Sequence, residues 1–124
     1  MPHASPTEVL ENGLDPRAFL ARAGTGKTIE RYAKHQKIFS QGEVADTVFF
    51  IQEGKVKLTV LSELGKEAVV GIFAEGQFFG EACLSGAKLR AATSHAMEEC
   101  LITSITKTAM LGMLGAEPSF PHFS

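Results

Sequence analysis

Cysteine and histidine are sparse in this sequence, and neither is grouped. The two cysteines, Cys83 and Cys100, are too few for a disulfide scaffold or a four-thiolate metal cluster, so a reducing compartment is the simpler expectation. The four histidines are scattered along the chain without the spacing that metal ligands share. No metal site is therefore predicted.

Long apolar runs are also missing, and the charge is nearly balanced. No stretch approaches the run of about 18 apolar residues that a membrane-spanning helix needs. The N-terminal residues lack the basic-then-apolar order of a signal peptide. The formal net charge of −2 points to neither nucleic acid nor a membrane surface as a partner. We expect a cytoplasmic protein.

The chain has the size and composition of one globular domain. Its 124 residues are 44% hydrophobic and 21% charged. Residues 1–14 hold few large apolar groups, which predicts a flexible arm before a domain over residues 15–124. A short helix is predicted over residues 15–23, with Pro16 at its first helical position and Gly24 as its stop.

From residue 28 to residue 105, short β-rich runs alternate with glycine-containing turns. Runs at intervals of roughly ten residues are typical of an antiparallel sandwich or barrel. A second helix is predicted over residues 107–115. The fold prediction is therefore mainly β, a small barrel with a helix at each end. The predicted strands read TIERY, KIFSQG, TVFFIQEG, KVKLTVL, EAVVGIF, ATSHAM and CLITSIT, and the glycines that recur near their turns are Gly42, Gly54, Gly65 and Gly76.

The stretch ARAGTGKT, residues 21–28, looks like a phosphate-binding loop of an ATPase. In such loops the lysine contacts the β- and γ-phosphates and the following hydroxyl holds Mg²⁺. The loop needs a strand before it and a helix after it, whereas here a helix is predicted before it and a strand after it. An ATPase is thus the weaker hypothesis, and it predicts hydrolysis that depends on Lys27.

The most unusual stretch is GQFFGEACLSGAKLRAATSHA, residues 76–96. Gly80 lets the backbone approach a ligand, and Ala82 and Cys83 can begin a short helical turn whose unpaired N–H groups favour an anion. The planar fork of Arg90 suits a phosphate with two free oxygens, and Glu81 can accept a hydrogen bond from a hydroxyl. Together these residues indicate a ribose-phosphate pocket. The alternative is a structural ion pair between Arg90 and Glu81.

GEACLSGAKLRAAT, residues 80–93, resembles the phosphate-binding cassette of cyclic nucleotide-binding domains. The match continues outside it, because KIFSQGEVADTVFFIQEGKVKLTV and GKEAVVGIFAEGQFFGE resemble the strands that precede the cassette in that family. The resemblance covers roughly residues 19–124 and is closest to bacterial Crp/Fnr-type transcription regulators. It implies a jelly-roll β-barrel, or double-stranded β-helix, of about eight strands with helices at both ends.

The resemblance also implies roles for individual residues. Glu81 matches the glutamate that binds the ribose 2′-hydroxyl, and Arg90 matches the arginine that pairs with the cyclic phosphate. Backbone N–H groups of Cys83 and Ala91 take positions that meet phosphate oxygens, and Gly80 takes the position that contacts the ribose. Residues expected to line the base pocket are Leu58, Val70 and Ile72.

Two positions depart from the family pattern. Leu89 replaces the usual proline before the arginine, and Ala82 is smaller than the usual aliphatic residue. Neither change removes a polar contact. At position 91 a serine or threonine can bond the guanine amino group, whereas Ala91 cannot, so cAMP is expected over cGMP.

The resemblance predicts a sensor and not an enzyme. We expect cyclic-nucleotide binding to act allosterically on an attached effector. In regulators of this type DNA is bound by a later helix-turn-helix domain, which follows a dimerisation helix; this chain is expected to end before both, and the full-length protein is expected to be a homodimer. Relatives that sense through iron–sulfur clusters need several N-terminal cysteines, and here none precedes Cys83. The alternative is a ligand-free barrel that serves dimerisation or protein interaction.

Overall fold

Strands dominate the part of the chain that the computed structural model describes, residues 16–21 and 26–116. The predicted arm over residues 1–14 and the predicted helix stop at Gly24 lie outside that part. In chain order the elements are α1 (Pro16–Ala21), β1 (Lys27–Tyr32), β2 (Lys37–Phe39), β3 (Thr47–Glu53), β4 (Lys55–Leu61), β5 (Glu67–Ala74), β6 (Phe78–Phe79), a 3₁₀ helix (Glu81–Ser85), β7 (Thr93–Ala96), β8 (Cys100–Thr106) and α2 (Lys107–Ala116).

The strands form two four-stranded antiparallel sheets. The first sheet has the order β1-β8-β3-β6 and the second has the order β2-β7-β4-β5. Each of the seven predicted runs overlaps one observed strand. β6 was missed because two residues are too short to show a periodicity. The predicted mainly β fold with flanking helices is confirmed.

β3 is buried on both faces, which explains its continuous apolar sequence. Phe49 and Ile51 point into the core between the two sheets, and Val48 and Phe50 point toward a second core under the helices. The two cysteines are both buried, Cys100 in the core between the sheets and Cys83 in the second core. The first core consists of Phe39, Phe49, Ile51, Val56, Phe79, Ala96, Cys100 and Ile102. The second consists of Leu20, Ala45, Val48, Phe50, Phe78, Cys83, Ile105 and Met110.

The turn from β3 to β4 is a single residue, Gly54, with φ +105°. A Cβ atom at Gly54 would lie 2.6 Å from the Sγ of Cys100 and 2.6 Å from the carbonyl oxygen of Glu99. Only glycine fits both that dihedral and that contact. The other recurrent glycines also have positive φ.

α2 follows β8 without a connecting loop and closes the second core. Met110 is buried, Met113 and Leu114 pack against the same core, and Leu111 remains exposed. The backbone N–H of Lys107 donates to the carbonyl of Asp46 at 2.8 Å, which ties the start of α2 to the start of β3. None of the described helices is long and apolar enough to cross a membrane.

Lys27 is the first residue of β1 and does not open a helix. Its ammonium group donates to the carbonyl of Leu20 in α1 at 3.4 Å. The helix-then-strand order predicted around residues 21–28 is thereby confirmed, and it is the reverse of the order in a phosphate-binding loop.

Candidate functional site

β6 leads the chain into a tight left-handed turn at Gly80, which has φ +74° and caps the 3₁₀ helix. A Cβ atom at Gly80 would lie 3.0 Å from Nη1 of Arg90 and 3.1 Å from the ring of Phe49. Glycine is therefore required by the dihedral and by the close approach of the arginine. The leading N–H groups of the 3₁₀ helix have no partner within the helix.

The strand that follows the 3₁₀ helix is reached through a loop held against the β2–β3 connection. Leu89 and Val44 form an isolated antiparallel bridge, and the N–H of Arg90 donates to the carbonyl of Glu43 at 2.7 Å. The N–H of Gly42 in turn donates to the carbonyl of Arg90 at 2.8 Å. These bonds fix the backbone of Arg90, whose side chain extends from this loop.

A cavity of about 200 Å³ opens between the 3₁₀ helix, its following loop and the second sheet. Its wall is mostly apolar, with one carboxylate and one guanidinium. Its lining residues are Phe39, Ala45, Leu58, Phe73, Gly80, Glu81, Ala82, Ala87, Leu89, Arg90, Ala91 and Ala92. Six of the nine predicted site residues thus share one cavity, although Leu58 and the cassette lie far apart in sequence.

Arg90 is only 7% exposed, yet its guanidinium forms no ion pair with any carboxylate among residues 16–21 and 26–116. Nη1 donates to the carbonyl of Gly80 at 3.0 Å, and Nη2 donates to the carbonyl of Thr47 at 2.7 Å. Burial lowers the pKa of Arg90, and Cys83, Asp46 and Glu43 oppose that shift electrostatically. An arginine remains protonated in a protein, so this wall of the cavity carries a positive charge.

Glu81 lines the same cavity and does not pair with Arg90. The alternative of a structural ion pair between the two is therefore not what the structure shows. Burial raises the pKa of Glu81, while a backbone hydrogen bond within the residue opposes the rise. A cation and a hydrogen-bond acceptor thus face one apolar space without neutralising each other.

Val70 and Ile72 lie outside the cavity lining and are 58% and 56% exposed. Ile72 pairs with Lys57 on the face of β4 that is turned away from buried Val56, and a register shift follows at Leu58. Because side chains alternate along a strand, that face cannot line the cavity. Their contact with a bound base stays a prediction.

Cys83 is also absent from the cavity lining, because its side chain is fully buried in the second core. Its Sγ lies 3.6 Å from the carbonyl of Gly80 and 3.8 Å from the carbonyl of Thr47. The role predicted for Cys83 concerned its backbone N–H, so the position of the thiol leaves that role a prediction.

Sequence reasoning missed several lining residues. Phe73 follows Ile72 by one position and takes the inward place that was assigned to Ile72. A strict alternation from Gly71, which pairs with Leu58, would have found it. Phe39 comes from β2, which no cassette motif marks. The small residues Ala45, Ala87 and Ala92 carry no functional signal in a single sequence, and Leu89 is marked only because it stands where the family usually has proline.

Comparison with known proteins gives a family. The family model described as cyclic nucleotide-binding domain matches residues 29–117. The cAMP-activated global transcriptional regulator CRP of Pasteurella multocida is 31% identical over 91 residues, which are 73% of this chain and 44% of the relative. The chain thus spans less than half the length of the curated relative it matches.

Solved structures agree on the fold. The catabolite activator protein of Thermus thermophilus superposes with a TM-score of 0.74 at 24% identity, over 86% of this chain and 50% of the other. An EAL enzyme in its cAMP-bound form gives a TM-score of 0.65 at 27% identity, over 74% of this chain and 25% of the other. The family match agrees with the sequence motif and with the jelly-roll sheets. This chain belongs to the cyclic nucleotide-binding domain family, and its curated relatives are CRP-type transcription regulators.

Proposed function

We propose that this domain binds cAMP in preference to cGMP, with the cyclic phosphate at Arg90 and the ribose 2′-hydroxyl at Glu81. The observation that carries the proposal is the guanidinium of Arg90, which is buried at the wall of an apolar cavity and has no ion-pair partner among the described residues. A buried charge is costly unless it is paired. A ligand anion would supply the missing charge.

The donor chemistry of Arg90 supports a phosphate. Two backbone carbonyls occupy one donor on each terminal nitrogen, and a guanidinium has five N–H donors. The remaining donors are available for an oxygen in the cavity. Charge-assisted bonds of this kind are roughly twice as strong as neutral ones, so the phosphate would dominate the binding energy.

The position of Glu81 supports a sugar hydroxyl beside that phosphate. An ionised carboxylate can only accept hydrogen bonds, and burial already disfavours its charge. A hydroxyl that donates to Glu81 would offset part of that cost. The apolar remainder of the wall, including Leu58 and Phe73, suits the flat faces of a base.

Preference for cAMP rests on Ala91, which lines the cavity and whose side chain is a methyl group. A methyl group cannot bond the amino group that distinguishes guanine. The relative from Pasteurella multocida is named as activated by cAMP, which supports the same ligand here.

We further propose that the domain acts as the allosteric sensor of a longer, homodimeric regulator whose DNA-binding part is another domain. The curated relatives support a transcriptional effector, and the EAL enzyme shows that a similar domain can also accompany catalysis. A ligand can shift the conformational equilibrium of such a protein only by binding its two states with different affinities.

Calorimetric titration with cAMP, cGMP and 5′-AMP tests the proposal. We expect cAMP to bind most tightly and Arg90→Gln to weaken it at least a hundredfold, since a charge-assisted pair to phosphate is lost. Lys88→Gln is the matched control, because it removes a cation from an exposed position of the same loop. Equal affinity of the two variants would refute the role of Arg90. No heat and no thermal shift with any nucleotide would favour the ligand-free interaction module.

A further inference from the structure

The guanidinium carbon of Arg90 lies over two aromatic rings. Its Cζ atom is 4.2 Å from the ring centroid of Phe39 and 5.4 Å from that of Phe49. Both rings are buried. At such distances the negative face of a ring attracts a cation, and the attraction is larger when both groups are removed from water.

The other contacts of the guanidinium come from the backbone. The carbonyls of Gly80 and Thr47 accept hydrogen bonds from its two terminal nitrogens, whereas Phe39 places its ring under the Cζ atom. These contacts together hold the position of the group. Of the two rings, that of Phe39 is the nearer to the guanidinium, and Phe39 also lines the cavity.

Phe39 itself is firmly held. Its N–H donates to the hydroxyl of Ser94 at 3.1 Å, and Ser94 is fully buried. Its ring packs at 5.5 Å from Phe49 and at 6.1 Å from Phe79. A ring fixed on two sides and at its backbone offers the guanidinium a rigid surface.

We propose that Phe39 is a positioning residue for anion binding, which holds the guanidinium of Arg90 by a cation–π contact in the orientation that the ligand phosphate requires. This inference rests on the proposed function and adds a residue that the cassette motif does not contain. An arginine that is already ordered loses less side-chain entropy when its ligand arrives. Removal of the aromatic ring should therefore lower the affinity for the ligand, because the side chain of Arg90 is then less ordered before binding.

The affinity test compares Phe39→Leu with Phe79→Leu. Both changes remove one ring from the same aromatic cluster, but no guanidinium lies over Phe79 among the described residues. We expect Phe39→Leu to lower the affinity for cAMP roughly threefold to thirtyfold by calorimetry, the range of a cation–π contact. We expect Phe79→Leu to change that affinity by less than about twofold once any unfolded fraction is corrected for. Equal losses in the two variants would overturn the proposal.

A second test does not depend on any nucleotide. Phe39 is replaced by 3,4,5-trifluorophenylalanine, which keeps the ring and weakens its negative face, in the wild-type chain and in the Arg90→Met variant. Urea unfolding of the four proteins closes a double-mutant cycle. We expect fluorination to raise the unfolding constant at least threefold more when Arg90 is present. A merely structural ring would show the same effect in both backgrounds, and that result would overturn the proposal.

The two tests separate the inference from the proposed function. If the wild-type chain binds no nucleotide, the proposed function fails, and the cycle alone decides whether Phe39 holds Arg90. If cAMP binds and the cycle shows no coupling, the function stands and the positioning role of Phe39 is refuted.

Discussion

Cys83 and Arg90 share the same two backbone acceptors. The Sγ of Cys83 and the guanidinium of Arg90 both contact the carbonyls of Gly80 and Thr47, the thiol from the core side and the arginine from the cavity side. The two carbonyls therefore connect the cassette to the first residue of β3. Because the neighbouring carbonyl of Asp46 accepts from the N–H of Lys107, the same short segment also contacts the start of α2.

Burial of Cys83 on the core side of these carbonyls predicts that its thiol is unreactive. Burial raises the pKa of Cys83, and the lowering influence of Arg90 does not reverse that rise. Cys100 is buried, and burial raises its pKa as well. Since only the thiolate reacts, a disulfide reagent should label neither cysteine in the native protein at neutral pH, and labelling should follow the rate of unfolding as urea is added. Prompt labelling of one thiol without urea would contradict this burial.

Substitution of Gly80 should be more costly than substitution of Gly86. Both residues have positive φ, so alanine is strained at either position. At Gly80 the new Cβ would also meet Arg90 and Phe49, whereas at Gly86 nothing lies within 4 Å. We expect Gly80→Ala to lower the free energy of unfolding by roughly 3 kcal/mol and Gly86→Ala by about 1 kcal/mol, measured in urea. Equal costs would mean that the contact with Arg90 contributes nothing.

Glu81→Gln should raise stability while it weakens binding. Burial raises the pKa of Glu81, so over a window above the ordinary carboxyl pKa the folded state keeps a proton that the unfolded state has released. Stability is therefore lost as pH rises through the folded-state pKa. Urea unfolding should show Glu81→Gln to be more stable than wild type at pH 7, and the difference should vanish in acid, where both side chains are neutral.

The same ionisation predicts the pH dependence of affinity. A protonated Glu81 is a weaker acceptor for the ribose hydroxyl, so the affinity of wild type for cAMP should fall as the pH falls into the titration range of Glu81. Glu81→Gln should bind cAMP roughly tenfold more weakly at pH 7, the difference between a charged and a neutral acceptor. Its affinity should not vary over that range. A parallel pH dependence in the variant would assign the effect to another group.

Much of this arrangement could be predicted from the sequence, for a physical reason. Strand periodicity and turn glycines are local properties, and so is the spacing from Gly80 to Arg90, which one loop sets. The contacts of the Arg90 guanidinium are not local, because its partners Phe39 and Thr47 precede it by 51 and 43 positions. Only the packing of the two sheets brings these residues together.

The side chains of β5 that point toward the cavity could likewise not be predicted from the sequence. The pairing of β5 with β4 decides which residues of β5 look inward, because Phe73 pairs with the buried Val56 and Gly71 pairs with Leu58. That pairing leaves no mark in the apolar pattern EAVVGIFA, in which nearly every position could be buried. For this reason Val70 and Ile72 were predicted to line the base pocket, whereas Phe73 lines the cavity in the structure.

Truncation of Leu58 and of Ile72 decides between these two views of the base pocket. Both are aliphatic residues on neighbouring strands, and only Leu58 lines the cavity. We expect Leu58→Ala to weaken cAMP binding roughly fivefold to tenfold, because the partly buried side chain loses about three carbon atoms of contact with the base. Ile72→Ala should weaken it by less than about twofold, as expected for an exposed position. Affinity for both variants is measured by calorimetry at a temperature where each is fully folded. If Ile72→Ala matched the loss of Leu58→Ala, β5 would have to change its facing on binding, and the assignment made from the family resemblance would be the correct one for the ligand-bound state.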